Sequence, residues 1–343
     1  MNQMTTQPHF PSLRRLLLAS DLGPRAADFL MQATTLCKRE KLDLTLFHAV
    51  PPIPKALSAI LFPYAALGAD ENILWSEILA YAENQLQHLS HQTLPKDFAS
   101  DADEHTQPTA PRCVVKEHPE GIVPAILAAS QAQEVDLLLC GAAGQRPPHP
   151  SRLGSVAAEL IRPPRYPTWL MRGLNTPTAP QKILVALDAT ETTPQLLRFA
   201  IAFALLWPDV DLELVTVIPD AKALDPAGLL DSSRTPADTM RNAQSKAKQR
   251  IEHILGDIIV PFSVEDRVRR FSFNFHCPLG DPALAILELA HQKDHTAIIV
   301  GSQHPKNKHL AALGRCAAHI CTRANADVVV VPIAQLLVDT QDA

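Results

Sequence analysis

Short unbroken apolar runs alternate along this chain with longer stretches whose apolar positions recur every three or four residues. Leu16-Leu17-Leu18-Ala19, Leu137-Leu138-Leu139-Cys140 and Ala297-Ile298-Ile299-Val300 show no polar alternation, as strands covered on both faces require. In the first half the pattern predicts strands over 15–20, 42–50, 113–116, 136–140 and 168–172, with helices over 24–39, 72–89, 122–133 and 155–161. The first helix gathers Ala27, Phe29, Leu30, Ala33 and Leu36 on one side. In the second half strands are expected over 182–187, 211–217, 270–276, 297–300 and 328–332. Phe271, Phe273 and Phe275 alternate with Ser272, Asn274 and His276, the mark of an edge strand with one buried and one wet face.

The two halves repeat. Leu17-Leu18-Ala19-Ser20-Asp21 recurs as Leu184-Val185-Ala186-Leu187-Asp188, a shift of 167. Ala125-Ile126-Leu127 recurs as Ala285-Ile286-Leu287, and Gly141, Gly154 and Ala157-Ala158 as Gly301, Gly314 and Ala317-Ala318, all shifted by 160. Residues 173–180, rich in Gly, Asn, Thr and Pro, favour neither helix nor strand. The expected division is a first domain at 12–173, a linker at 174–180 and a second domain at 181–335. Alternation of strand and helix gives right-handed crossovers, so the fold class is α/β: two tandem, doubly wound, open parallel five-stranded sheets of Rossmann-like type.

One loop in the first half has a composition suited to an anion. Gly141-Ala142-Ala143-Gly144 follows the fourth strand, and after nine residues Gly154-Ser155 opens a helix. Glycine lets the backbone approach a ligand closely, and the first amides of a helix, here those of Ser155 and Val156, lack internal partners. Together with the helix dipole and the Ser155 hydroxyl they form a phosphate cradle, to which Arg146, His149 and Arg152 would add positive potential. The same pattern also suits a plain turn with Ser155 capping the helix. Asp21 stands at the carboxyl end of a central strand, where open α/β sheets bind ligands.

This spacing resembles the universal stress protein family, and so do Leu46-Phe47-His48-Ala49, Ser155-Val156-Ala157-Ala158-Glu159-Leu160 and Tyr166-Pro167-Thr168-Trp169-Leu170. The resemblance runs from about 13 to 333, once per half. It implies an adenine-nucleotide fold in which Gly141, Gly144, Gly154, Ser155 and Val156 hold phosphates, Asp21 meets the ribose and Ala49 meets the adenine. ATP or another adenine nucleotide is the implied ligand, with Mg or Mn as a companion ion. The implied protein is a non-catalytic, cytoplasmic one acting in stress response. A nucleotide-free interaction scaffold is the alternative reading, and a weak ATP hydrolase ranks below both. The resemblance further implies that 168–172 and 328–332 pair the halves into an internal pseudo-dimer. A further homodimer and the identity of any protein partner stay open.

Two departures qualify the resemblance. Pro147, Pro148 and Pro150 stiffen the nine-residue loop. In the second half His304 replaces Gly144 and Arg315 replaces Ser155, so that site reads as degenerate although Asp188, Gly301 and Gly314 remain. Gly280-Asp281-Pro282, before the third helix of the second half, is a turn form the family shares.

Composition narrows the field without changing it. Net charge is −5 and the mean hydropathy +0.00, which argues against nucleic acid and membrane as partners. Six scattered cysteines without a CxxC pair fit a reducing compartment. No P-loop, nucleophile elbow or HExxH motif occurs. His291 and His295 have ligand-like spacing but read as polar residues at a helix end, and Cys316, His319 and Cys321 read as packing. The segment 51–69 is unusually apolar for a connector, and 239–254 reads as a solvated helix.

Overall fold

The computed structural model describes residues 10–52, 70–93, 110–144, 153–173, 180–188, 190, 192–219, 236–259, 273–302 and 313–333. The first half runs β1 (Arg15–Ala19), α1 (Ala26–Glu40), β2 (Asp43–Val50), α2 (Asp70–Thr93), β3 (Arg112–Glu117), α3 (Ile122–Ala132), β4 (Leu137–Gly141), α4 (Ser155–Ile161) and β5 (Thr168–Met171). The second half runs β6 (Lys182–Ala186), α5 (Thr193–Ala204), β7 (Asp211–Val215), α6 (Pro236–Ile259), β8 (Phe273–His276), α7 (Pro282–Gln292), β9 (Ala297–Ser302), α8 (Arg315–Arg323) and β10 (Asp327–Pro332).

Within each half all neighbouring strands are parallel, in the orders β3-β2-β1-β4-β5 and β8-β7-β6-β9-β10. The two five-stranded sheets are not separate. β5 and β10 pair antiparallel, Val329 opposite Trp169, and fuse them into one ten-stranded sheet. Apolar runs are therefore buried on both faces: Leu16, Leu18, Leu137, Leu139, Ile183 and Val185 pack under α1, α2, α5 and α6. Leu17, Leu138, Leu184, Ile298 and Val330 pack under α3, α4, α7 and α8. Each such side chain, lifted out of water, contributes roughly 1.5–3 kcal/mol.

The duplication extends to small devices. Asp136 Oδ2 accepts the amides of Arg14 and Arg15, both at 2.8 Å, and pins the start of β1. Thr296 Oγ1 does the same for Gln181 and Lys182 ahead of β6, at 2.9 and 3.2 Å.

The seam between the halves breaks the symmetry. Trp169 of β5 is fully buried and meets Phe203 and Trp207 of the second half edge-on, with centroids 5.4 and 5.7 Å away. Its Nε1 donates to Asp327 Oδ2 at 2.9 Å, while Asp327 Oδ1 accepts the Arg172 amide at 2.7 Å. The Arg172 guanidinium donates to the Cys321 carbonyl, and Arg39 donates to the Leu206 carbonyl. The Leu313 amide reaches the Arg162 carbonyl at 3.0 Å.

Several expectations need correction. The 239–254 helix is not simply solvated: within α6, Met240, Ile251 and Ile258 are buried, and their spacing places them on one face. β8 is the edge strand, with Phe273 and Phe275 against the core and Asn274 exposed. Its other face is not wholly wet, because His276 is drawn in toward Glu213. His295 is buried rather than a polar helix end, whereas His291 is exposed. Cys321 is buried in the core, in keeping with packing. Among the described residues no helix is long and apolar enough to cross a membrane. Phe271, most of the 51–69 segment and the linker core 174–179 lie outside the described residues.

Candidate functional site

The strand order of the first half reverses between β1 and β4, so the loops after these strands diverge to opposite faces of the sheet. A crevice at the carboxyl ends is the geometric consequence. It is present as a cavity of about 310 Å³ whose lining includes Asp21, Ala49, Gly141, Gly144, Gly154, Ser155 and Val156. Sequence reasoning had put these residues together from four separate segments. The volume lies at the small end of the range for small-molecule pockets.

Each wall follows from local sequence. After β1 the chain turns sharply: the Gly23 amide donates to Asp21 Oδ1 at 2.9 Å, and Leu22 takes a left-handed φ of 55°. Such an Asx turn fixes the carboxylate at the cleft mouth. The Ser20 amide bonds the Phe47 carbonyl at 2.8 Å, extending the β1–β2 ladder past the last strand residue. His48 Nδ1 lies 2.8 Å from the Ser20 carbonyl and ties the end of β2 to the same turn.

The glycine loop is stitched back onto the sheet. The Ala142 amide bonds the Met171 carbonyl at 2.8 Å, and the Gly154 amide bonds the Ala142 carbonyl at 2.8 Å. Gly154 has extended backbone, φ −65° and ψ 154°, and caps α4 with no side-chain bond. Ser155 therefore does not spend its hydroxyl as the cap; it is exposed at the first helical position, inside the cleft. The amides of Ser155 and Val156 open the first turn, where an α-helix provides no acceptor. Glycine matters at two points by proximity. A Cβ on Gly154 would sit 3.2 Å from the Gly144 amide nitrogen, and one on Gly141 would sit 2.9 Å from Phe29 Cε2.

The rest of the lining escaped sequence reasoning. Phe29, Phe47, Ile122, Ile126 and Cys140 give the cleft an apolar floor, and Pro51 is at its rim. In sequence Phe29 and Ile126 are ordinary helix-face residues, with nothing to separate cleft from core. Burial pushes the Cys140 thiol up to about 12, so it is an apolar surface here and not a nucleophile. Asp21 is the one carboxylate among the described lining residues. A divalent cation in this cleft would thus depend on its ligand's oxygens for most of its coordination. Arg146, His149, Arg152 and the three loop prolines lie outside the described residues.

The corresponding end of the second half is arranged differently. Asp188 Oδ1 accepts from its own neighbours, the Thr190 amide at 3.2 Å and the Thr190 hydroxyl at 2.7 Å. A Cβ on Gly301 would fall 2.3 Å from Ile333 Cδ1, so the side chain after β10 already packs against the end of β9. Arg315 takes the place of Ser155 at the start of α8. His304 lies outside the described residues.

Comparisons with known proteins agree with this architecture. The family model described as the universal stress protein family matches residues 12–172 and again 180–332. Among solved structures, a candidate universal stress protein of Pseudomonas aeruginosa UCBPP-PA14 is similar at TM-score 0.59 and 15% identity, covering 96% of this chain and 99% of that one. A functionally unknown protein of Pseudomonas aeruginosa PAO1 is similar at TM-score 0.57 and 16% identity, covering 97% and 99%. A universal stress protein of Archaeoglobus fulgidus DSM 4304 is similar at TM-score 0.55 and 14% identity, covering 94% and 99%. No curated protein matched.

Proposed function

This chain belongs to the universal stress protein family as a tandem two-domain member, and we propose that its first half binds ATP or a related adenine nucleotide as a regulatory ligand. The observation that carries this reading is the convergence of Asp21, Ala49 and the three glycines on one cleft at the strand-order reversal. In this reading the adenine rests on the apolar floor by Phe47 and Ala49, and Asp21 accepts a ribose hydroxyl. The phosphates lie along Gly141, Gly144 and Gly154 and take hydrogen bonds from Ser155 and Val156. Mg or Mn accompanies the phosphates.

The nucleotide acts as a ligand that biases conformation or partner choice, not as fuel. The apolar floor and the protonated, buried Cys140 thiol support this reading. The second half serves as a structural partner. Six unpaired cysteines fit a reducing cytoplasm.

Calorimetric titration of ATP into ligand-stripped protein tests the reading. Saturable heat at a single nucleotide per chain is expected. Ser155→Ala, which removes one donor to the phosphates, weakens binding about tenfold without altering stability. The absence of heat and of any thermal shift would overturn the nucleotide reading and leave a nucleotide-free scaffold.

A further inference from the structure

The second half carries a buried polar cluster far from the nucleotide cleft. Glu213 on β7 is 3% exposed, and its Oε2 lies 2.5 Å from His276 Nε2 at the end of β8. His295 Nε2 is 3.4 Å from the same oxygen, its side chain wholly buried, and neither of its ring nitrogens has a hydrogen-bond partner. Lys293 Nζ and Lys182 Nζ stand 3.7 and 4.0 Å from the carboxylate.

The duplication supplies an internal control. Glu213 lies opposite Leu184 as Thr45 lies opposite Leu17. By the matching registers of the neighbouring strands, His276 occupies the place of Val114 and His295 the place of Val135. The first half thus fills this spot with Thr45, Val114 and Val135, where Thr45 donates to Gln133. The second half fills it with one carboxylate and two imidazoles. Fold alone does not demand the change.

We propose that Glu213, His276 and His295 form an acid-sensitive latch that holds edge strand β8 and the following turn against the second half at neutral pH and releases them on acidification. One carboxylate can balance one imidazolium, and here two ammonium groups already lean on it. A charge on His295 is therefore surplus, and the ring can hold it only by leaving its site for water. Every element around it brings a basic side chain to the same carboxylate: Lys182 from β6, His276 from β8 and Lys293 just after α7. Asp294, Glu288, His291 and Arg323 line the adjoining groove, two acidic and two basic residues. Glu213 is the only acid that His295 meets directly among the described residues.

The direction of titration agrees. Burial, helped by Lys182 and His276, lowers the His295 pKa against the pull of Glu213. Burial would raise Glu213, but the His276 hydrogen bond and the charges of His295, His276 and Lys293 outweigh it and hold the carboxyl low. Both groups bind protons more tightly in the unfolded half. Their stabilisation is present at neutral pH and is lost as pH falls, for His295 below its ordinary 6.5 and for Glu213 below its ordinary 4.5. β8 is the element to yield: it has four residues and, among the described residues, pairs only with β7. Gln244 Nε2 donates to the Cys277 carbonyl at 2.6 Å, and Ile218 exchanges backbone bonds with Pro278 and Gly280 in the turn that follows.

Hydrogen exchange on the full chain at about pH 7.5 and about pH 5.5, corrected for intrinsic rates, tests the latch. The native chain should lose protection roughly tenfold or more across β8 and the start of α7 at the lower pH, with no such loss at β3 and α3. A triple variant carrying the first-half residues, Glu213→Thr, His276→Val and His295→Val, should show no difference between the two halves. Should that variant not fold, His295→Val alone carries the test, since it removes the surplus charge and should abolish most of the loss. Equal protection of native β8 at both pH values, or a loss that persists in the variant, would overturn the proposal.

Discussion

Asp327→Ala should lower the stability of the chain by about 2–6 kcal/mol, since it leaves two buried donors unsatisfied at about 1–3 kcal/mol each. Asp327 is 1% exposed and accepts both the Trp169 indole and the Arg172 amide. Alanine leaves the Trp169 indole and the Arg172 amide, two buried donors, without acceptors. Thermal unfolding should show a drop of roughly 10 °C. The pH dependence separates this group from the latch. Burial outweighs the hydrogen bonds from Arg172 and Trp169 and pushes the Asp327 carboxyl up to about 6. A raised folded-state pKa means stability that is full below the ordinary 3.8 and lost as pH rises through about 6. Acidification from neutrality therefore strengthens the seam while it loosens β8, and only the first effect disappears in Asp327→Ala. A variant with native Tm at neutral pH would show that the seam is held by the β5–β10 ladder and the aromatic cluster alone.

Gly154→Val should abolish nucleotide binding, weakening it on the order of a hundredfold or more, about 2.7 kcal/mol. The added Cβ would stand 3.2 Å from the Gly144 amide nitrogen and 3.6 Å from both the Ala142 oxygen and Ala143 Cα. These are backbone atoms and cannot swing aside as a side chain can. The γ-methyl groups then enter the space where the phosphates are proposed to lie. Folding should survive, because φ −65° and ψ 154° suit a β-branched residue. Titration beside a melting curve distinguishes the outcomes: a folded protein with a lowered Tm and no ATP heat is expected. Native affinity in a well-folded variant would move the ligand away from the glycine loop.

The parts of this molecule that sequence disclosed are those encoded by neighbours in the chain. β1, β4 and β9 are built on unbroken apolar runs, and α4 begins at Ser155, directly after the glycine that closes the loop. The cleft was legible because its glycines have fixed spacing, because Asp21 ends a central strand, and because the family resemblance added Ala49, which nothing in its own neighbourhood marks out. What stayed hidden depends on register. Nothing near His295 in sequence distinguishes it from His291, four positions earlier, yet the turn into β9 carries His295 inward to Glu213 while His291, on α7, stays in solvent. The Trp169–Asp327 bond likewise exists only because β10 runs antiparallel to β5. In α6, Met240, Ile251 and Ile258 are too sparse among Lys, Arg and Gln to signal a core face before the sheet beneath them is known.

The antiparallel join of β5 to β10 makes the pairing of the halves an event within one chain. Two separate halves would meet at a rate set by how many molecules share the volume, and dilution would part them. Here the tether holds the local concentration of each half about the other at roughly millimolar, whatever the number of molecules in solution. The midpoint of unfolding should accordingly be the same for a dilute sample as for a crowded one. A cell could let the abundance of this protein fall by orders of magnitude without loosening the frame around its cleft.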